Sequence, residues 1–188
     1  SLRLVAGSDL EKLGQNLGAS KKVATPATGI ALLTFSSIPA NFPVNAGDTI
    51  TAQNGSIFSV INGFSVDAAR SNYYRSVATK FQNDLSFLNI TDQFAVEVSV
   101  RANVAGAQGN VSKYSLVRTS ITGATNVTNV FSFIGGADQE DDSSYRNRVL
   151  AIFSGSNIGT ALGYRNTALT NSSIQDALAG AALRIVPR

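Results

Sequence analysis

Residues 94–101, Phe94-Ala95-Val96-Glu97-Val98-Ser99-Val100-Arg101, decide the fold class of this chain. Large apolar side chains occupy every second position, and small, polar or charged side chains occupy the positions between them. An extended backbone sends alternate side chains to opposite faces, so one face of this segment is apolar and the other is polar. The pattern predicts a strand with one buried and one solvent-exposed face, and therefore a domain that contains a sheet.

Further strands are predicted on both sides of this segment. The near-continuous apolar run 29–35 is typical of a strand that is covered on both faces. Asn54 and Gly55 favour a hairpin turn between a strand at Thr49–Ala52 and a strand at Ile57–Val60. Residues 111–120 are predicted to form another strand after the turn at Gly106 and Gly109. The stretch 119–137 contains no charged residue, and its Thr, Asn and Gly content suits strand and turn.

Helical spacing appears at both ends of the chain and once in the middle. Residues 8–17 predict a helix, with Ser8 and Glu11 spaced as a capping box and Gly18 as the left-handed residue that ends it. Residues 67–88 predict a second helical segment, with Asp67 as its N-cap.

The chain returns to helical spacing near Asp141. Tyr145, Val149 and Ile152 fall on one face of that helix. A further helix is predicted from Thr160.

These elements predict an α+β fold, with a strand-rich, β-sandwich-like middle flanked by an N-terminal helix and C-terminal helices. We expect an N-terminal helical segment at 1–23 and a strand-rich domain at 24–121 with a helical insertion at 67–88. A helical C-terminal part is expected at 122–188 and is expected to continue past the end of the chain.

Composition removes several classes of function. The 188 residues include no Cys and no His, which excludes disulfides, a thiolate nucleophile, zinc–sulfur sites and the commonest general base. The 15 basic and 12 acidic residues give a net charge of +3, and the basic residues are scattered, so we expect no nucleic-acid binding. The longest uncharged stretch, 23–47, contains three prolines, so we expect no membrane insertion.

One acidic cluster is a candidate ion site. Oxygen ligands at this density could hold Ca²⁺, but the twelve-residue calcium-loop pattern is absent. The cluster also stands where a helix is predicted to begin, and there carboxylates cap free N–H groups and complement the helix dipole. We interpret it as a helix start, with Asp142 also able to pair with Arg146, and expect no metal and no cofactor. Its members are Asp138, Glu140, Asp141 and Asp142.

Other candidate sites are weaker. Gly135 and Gly136 precede a helix as in a phosphate cradle, but the spacing and Lys of a nucleotide-binding loop are missing, which favours a tight turn. A carboxylate pair could hydrolyse a glycoside, yet Glu97 is predicted to be a lone charge on a solvent-exposed face. Tyr73, Tyr74 and Tyr114 could stack on a sugar ring, or simply pack in the fold. The sequence therefore predicts no catalytic, cofactor-binding or metal-binding residues, and no enzyme.

Four groups of residues form one pattern by their order and spacing along the chain: 7–18 with 24–35, 42–49 with Gly55 and Phe58, 100–111, and 127–148 with Gly159 and Thr160. The most specific stretch is 133–142, Phe-Ile-Gly-Gly-Ala-Asp-Gln-Glu-Asp-Asp, followed by Tyr145-Arg146-Asn147-Arg148. Together these stretches resemble the baseplate J-like family of contractile phage tails. Residues 67–88 depart from the family pattern, since relatives are expected to be shorter there.

The resemblance implies a baseplate wedge protein, a structural component of the virion tail that is assembled in the bacterial host cytoplasm. Its implied partners are other copies of itself and other wedge, hub or tail-tube proteins. Its implied action is mechanical, through interfaces that hold one tail state and rearrange on contraction. A carbohydrate-binding β-sandwich module of a tail or cell-surface protein remains the alternative.

Overall fold

The computed structural model describes residues 8–37 and 41–155. The described chain divides into two compact units. One comprises residues 8–22 and 140–155, and the other comprises residues 23–37 and 41–139. The predicted α+β class is confirmed, with strands in the middle of the chain and helices in its N-terminal and C-terminal regions. The helix predicted from Thr160 lies outside the described residues.

The element bounds are as follows. The strands are β1 (Thr28–Phe35), β2 (Asn41–Val44), β3 (Thr49–Ala52), β4 (Ile57–Val60), β5 (Phe64–Asp67), β6 (Phe94–Ala102), β7 (Leu116–Thr119) and β8 (Asn126–Thr128). The helices are α1 (Ser8–Asn16), α2 (Ser71–Lys80), α3 (Gln82–Phe87) and α4 (Asp142–Gly155). Single 3₁₀ turns span Ala68–Arg70 and Ala107–Gly109.

Six of the strands form one antiparallel sheet in the order β7-β3-β4-β6-β1-β8, and β2 pairs with β5 in a separate ribbon. The two outer strands of the sheet are joined through the fully buried Asn129. Its Oδ1 accepts the backbone N–H groups of Ser115 and Leu116 at 2.9 and 3.1 Å. Its Nδ2 donates to the carbonyls of Ser112 and Phe131, both at 2.8 Å. Because a side chain satisfies these backbone groups, the sheet is nearly closed.

Strand β1 lies between β6 and β8 and is covered on both faces from Ala31 to Phe35, as the apolar run predicts. Leu33 and Phe35 point into the main core between the strands. Leu32 points the other way, into a second apolar cluster formed with α2 and α3. Phe35 packs edge-on against Tyr74 of α2, and Leu32 packs with the apolar side chains of α2 and α3. These contacts position both helices of the insertion against the sheet.

The alternation in 94–101 correctly predicts β6, but its second face is only partly exposed to solvent. Val96, Val98 and Val100 are buried in the main core. On the other face Ala95 is also fully buried, because α2 packs over that end of the strand. Glu97 accepts a hydrogen bond from Lys80 of α2 at 3.2 Å. The exposed part of this face begins at Ser99.

The segment 67–88 is helical, as predicted, and Asp67 accepts the N–H of Arg70 at 3.0 Å, as the predicted cap requires. It consists of a 3₁₀ turn and two helices, which separate at Phe81 (φ −107°, ψ 19°). The side chain of Phe81 is buried in the cluster beneath both helices. The chain therefore changes direction at Phe81, while the buried apolar face of α2 continues into α3.

The strand predicted at 111–120 is shorter than expected. Only Leu116–Thr119 pairs in the sheet. Tyr114 adopts a left-handed backbone conformation (φ 64°), which breaks the extended chain just before the strand. Its N–H donates to the carbonyl of Asn129 at 2.7 Å, so this turn is fixed by the same segment that joins the outer strands.

The helical unit has its own small core. Leu10 and Ala19 pack with Tyr145 and Val149 of α4, and all four are buried. The hydroxyl of Tyr145 donates to the carbonyl of Ala19 at 2.7 Å. Gly18 is left-handed (φ 71°), as predicted for the residue that ends α1. These contacts hold α1 and the loop that follows it against α4.

Candidate functional site

The first candidate site is the acidic cluster at the start of α4. Asp141 is the N-cap, because its Oδ1 accepts the backbone N–H groups of Ser143 and Ser144 at 2.9 and 3.0 Å. Hydrogen bonds from the hydroxyls of the same two serines hold the pKa of Asp141 well below its usual range. The capping role predicted for the cluster is confirmed at this residue.

Glu140 joins α4 to the segment that follows α1. Its two carboxylate oxygens accept hydrogen bonds from Nε and Nη2 of Arg148 at 2.9 and 2.6 Å. One of them also accepts the N–H of Lys22 at 3.0 Å, while Arg148 donates to the carbonyl of Ser20 at 2.7 Å. The Arg148 and Lys22 hydrogen bonds lower the pKa of Glu140 to about 2. A bidentate pair of this kind is a rigid structural clamp.

The remaining two acids of the cluster point to different parts of the chain. Asp142 pairs with the ammonium group of Lys21, and this hydrogen bond raises the pKa of that lysine. Asp138 belongs to the strand-rich unit, where it accepts the N–H of Ala107 at 2.8 Å. Among the described residues, no three His, Cys, Asp or Glu side chains are grouped as potential metal ligands. The cluster therefore fastens chain segments through four separate contacts.

The second candidate site is a set of three segments that we call the glycine junction, residues 25–28, 102–110 and 134–138. Thr25 exchanges backbone hydrogen bonds with Ala137 at 2.9 and 3.0 Å, and its carbonyl also accepts the N–H of Gly106 at 3.0 Å. The side chain of Asn110 exchanges two hydrogen bonds with the backbone of Gly136, both at 2.8 Å. Each segment thus satisfies backbone groups of the others.

The glycines of the junction permit this close approach. A Cβ on Gly136 would lie 2.4 Å from the carbonyl oxygen of Gly106, and a Cβ on Gly109 would lie 3.0 Å from the Cβ of Ala27. Gly135 has φ 90°, a left-handed conformation that glycine adopts without strain. The Gly135–Gly136 pair is therefore a turn packed against neighbouring backbone, as the sequence favours.

The third candidate site is an open groove of about 710 Å³ beside α2, α3 and the loop before β6. Most of its lining side chains carry amide or hydroxyl groups, and Arg75 and Asp92 are the charged ones. Asp92 already accepts hydrogen bonds from Thr34 and Asn126. The described lining includes no aromatic ring. The lining residues are Arg75, Ala78, Thr79, Gln82, Leu85, Ser86, Asn89, Ile90, Thr91, Asp92 and Gln93.

The tyrosines considered as sugar platforms have different environments. Tyr74 is 2% exposed and packs edge-on against Phe35 in the core. Tyr73 is 52% exposed. Tyr114 is half-buried, donates its hydroxyl to Asp84, and has its ring 5.3 Å from that of Phe87. The structure does not bring the three rings together in the groove.

Sequence reasoning missed the two polar groups that hold the sheet together, Asn129 and the Thr34–Asp92–Asn126 set. Both are formed by residues far apart in sequence, and neither Thr34 nor Asn129 interrupts its local pattern. The sequence signal for Asn129 was limited to its position directly after Val127 and Thr128, in one of the stretches that resemble the baseplate family.

The sequence matches no protein-family model, and none of the curated proteins matches it. Within the part of the chain that the structure describes, no helix combines the length and apolar character needed to cross a membrane.

Proposed function

We propose that this chain is a structural component of a phage-type contractile-tail baseplate, a wedge protein that assembles with copies of itself and with other wedge, hub or tail-tube proteins. It would act in the virion tail baseplate after assembly in the bacterial host cytoplasm. Its work would be mechanical, because interfaces between subunits would hold one tail state and rearrange on contraction.

The observation that carries the proposal is the convergence of the resembling stretches at the glycine junction. The stretches 24–35, 100–111 and 127–148 are far apart in sequence, yet each contributes one segment of the junction. At Gly29, Gly109 and Gly136 an added Cβ would crowd backbone or a packed side chain, and Gly135 has a positive φ. A shared fold would require these residue types at this spacing, so the contacts give the resemblance a physical basis.

Exposed aliphatic side chains beside the junction support an assembly role. Val23, Val104 and Ile134 are 72%, 77% and 70% exposed, and each stands in or next to a junction segment. Large apolar groups left in water at neighbouring positions are typical of surfaces that a partner covers. The low charged fraction of 14% also does little to keep subunits apart.

The test uses purified tail particles from the phage or injection system that encodes the chain. We expect an antibody against the chain to label the baseplate end of the particles in negative stain, and the purified chain to co-sediment with neighbouring tail proteins. Ile134→Asp is expected to weaken co-sedimentation, because it places a charge beside the junction. Phe87→Asp is the matched control, since Phe87 is equally exposed at 70% but lies on α3, outside the junction.

A strictly monomeric chain that ignores every tail partner, yet binds a defined glycan, would overturn the proposal. That outcome belongs to the second candidate function, a carbohydrate-binding module. The groove favours this alternative, because its volume suits a small ligand and its exposed Gln82, Asn89 and Gln93 offer amide donors and acceptors. Loss of glycan binding on replacing Gln82 and Asn89 with Ala would place the ligand there.

A further inference from the structure

The outer surface of the six-stranded sheet is covered by α2 and α3 at one end and is open at the other. The pairing register places Ile30 next to Ser99, and the N–H of Ile61 donates to the carbonyl of Ser99 at 3.0 Å. The next rows across the strands contain Arg101 beside Ser59, and Arg118 beside Thr51, which pairs on its other side with Ile57. We call this surface the open face and define it by Ile30, Ile57, Ile61, Ser99, Arg101 and Arg118.

The composition of the open face is unusual for a surface in water. Its three isoleucines are 40–45% exposed. Its strand positions carry Ile, Ser, Thr and Arg, whereas solvent-exposed sheet faces are commonly protected by Lys and Glu. Arginine together with branched apolar side chains, and without Lys or acids, is the composition found at the centre of protein–protein interfaces.

The charge of the open face is also unbalanced. Within the described residues, no salt bridge or side-chain hydrogen bond engages Arg101 or Arg118. Each described carboxylate other than Glu11 already accepts a hydrogen bond or forms an ion pair within the chain. An acidic partner surface would supply a counter-charge that the described part of the chain does not provide.

We propose that the open face docks against an acidic protein surface, and that this surface belongs to a different protein of the same tail. The inference rests on the proposed function. A two-fold contact between two open faces is a poor alternative, because neither face carries an acidic side chain to pair with the arginines of the other. A distinct partner with unpaired Asp and Glu side chains complements the face.

The absence of cysteine from the chain allows a direct test by thiol protection. Ser99→Cys places a single thiol at the centre of the open face, and Asn72→Cys places one on the exposed side of α2 as the matched control. Both are labelled with a maleimide dye in the free chain and in purified tail particles. We expect both thiols to react in the free chain, and only the one at position 99 to be protected in the particles.

Charge reversal tests the acidic partner. Arg101→Glu with Arg118→Glu should weaken co-sedimentation with the neighbouring tail proteins about 100-fold, because two attractive contacts become repulsive. The control is Arg75→Glu with Lys113→Glu, which makes the same change in net charge in the same unit outside the open face. The wild-type interaction should also weaken as salt is raised.

The outcomes separate the two proposals. Wild-type chain absent from the particles overturns the proposed function and this inference together. Wild-type chain present, with the thiol at position 99 as reactive as the control, overturns the inference alone. A thiol at position 99 that is already protected in the free monomer assigns the face to the chain's own remaining residues. A thiol at position 99 that is protected only when the free chain forms a homo-oligomer assigns the open face to a second copy. Either result overturns the acidic partner.

Discussion

The carboxylates of this chain act mainly as acceptors for backbone and side-chain donors at chain reversals. Asp67 and Asp141 cap helices, and Asp138 holds a loop of the glycine junction. Glu140 accepts three hydrogen bonds from two different segments. The hydrogen bonds to Asp141 and Glu140 lower the pKa of both carboxyl groups, so the folded state is expected to depend on these two remaining charged.

Glu140→Gln tests this dependence on pH. The pKa of Glu140 is about 2 in the folded chain against an ordinary value of 4.5, so its stabilising contribution is fully present above about pH 4.5. That contribution is lost as the pH falls from about 4.5 to about 2. We expect the variant to melt at a lower temperature than wild type at neutral pH, and the difference to shrink through this window. Circular dichroism melts at a series of pH values measure it.

The control for this prediction is Glu11→Gln, which removes one carboxylate from the exposed surface of α1. It should leave the pH dependence of the melting temperature close to that of wild type. A difference between wild type and Glu140→Gln that stays constant down to about pH 2 would contradict the role of the Arg148 pair.

Residue-level prediction from sequence succeeded where the interaction is local. The caps at Asp67 and Asp141 were predictable because a cap and its N–H donors lie within three residues of each other. The Glu140–Arg148 clamp was not predictable, because eight residues separate the two side chains. The pairing of Asp142 with Lys21 was also not predictable, because the two residues are distant in sequence.

At the scale of elements, an aromatic ring anchors the loop between β8 and α4 in the main core, in addition to the hydrogen bonds of the glycine junction. Phe133 is 1% exposed and packs edge-on against Phe58, with ring centroids 4.9 Å apart. A Cβ on Gly29 of β1 would lie 1.9 Å from its ring, so the glycine leaves the space that the ring fills. The N–H of Phe133 donates to the carbonyl of Val111 at 2.9 Å.

Phe133→Ala is expected to cost about 3–5 kcal/mol of unfolding free energy, because it removes a buried ring and leaves a cavity against Phe58. Phe131→Ala is the matched control: it is the same change two residues earlier, at a side chain that is 56% exposed. It should cost about 1 kcal/mol or less. Urea denaturation followed by tyrosine fluorescence gives both values, and equal costs would show that Phe133 is not the anchor.

Strand prediction from sequence succeeded where periodicity and burial agree, as in β1 and β6. It failed at 111–115, because the left-handed backbone of Tyr114 and the amide of Asn129 replace the strand pairing that the apolar pattern favours. It also missed that α2 covers one end of the outer face of β6, since a local pattern does not show which element packs over it. These misses depend on contacts between distant segments.

At the scale of the whole molecule, local turn chemistry and distant polar contacts together produce a nearly closed sheet. Local periodicity and turn residues predicted the α+β class and a strand-rich middle. They did not predict that Asn129 would join β7 to β8, because a single buried amide has no sequence signature. The result is a scaffold whose described acids are largely engaged internally and whose open face carries isoleucines and two arginines.

The last prediction is that the whole chain performs no chemistry on cell-wall or nucleotide substrates. A glycosidase needs two carboxyl groups facing one bond, one of them protonated near neutral pH through a raised pKa. Here the pKa values of Glu140 and Asp141 are lowered by hydrogen bonds, and both acids are engaged in fixing the start of α4. The sequence has no His or Cys to act in their place. Incubation with peptidoglycan, capsule polysaccharide and nucleotides should therefore give no turnover above buffer. Turnover that survives stringent purification and disappears when a single carboxylate is replaced would show that the chain is an enzyme.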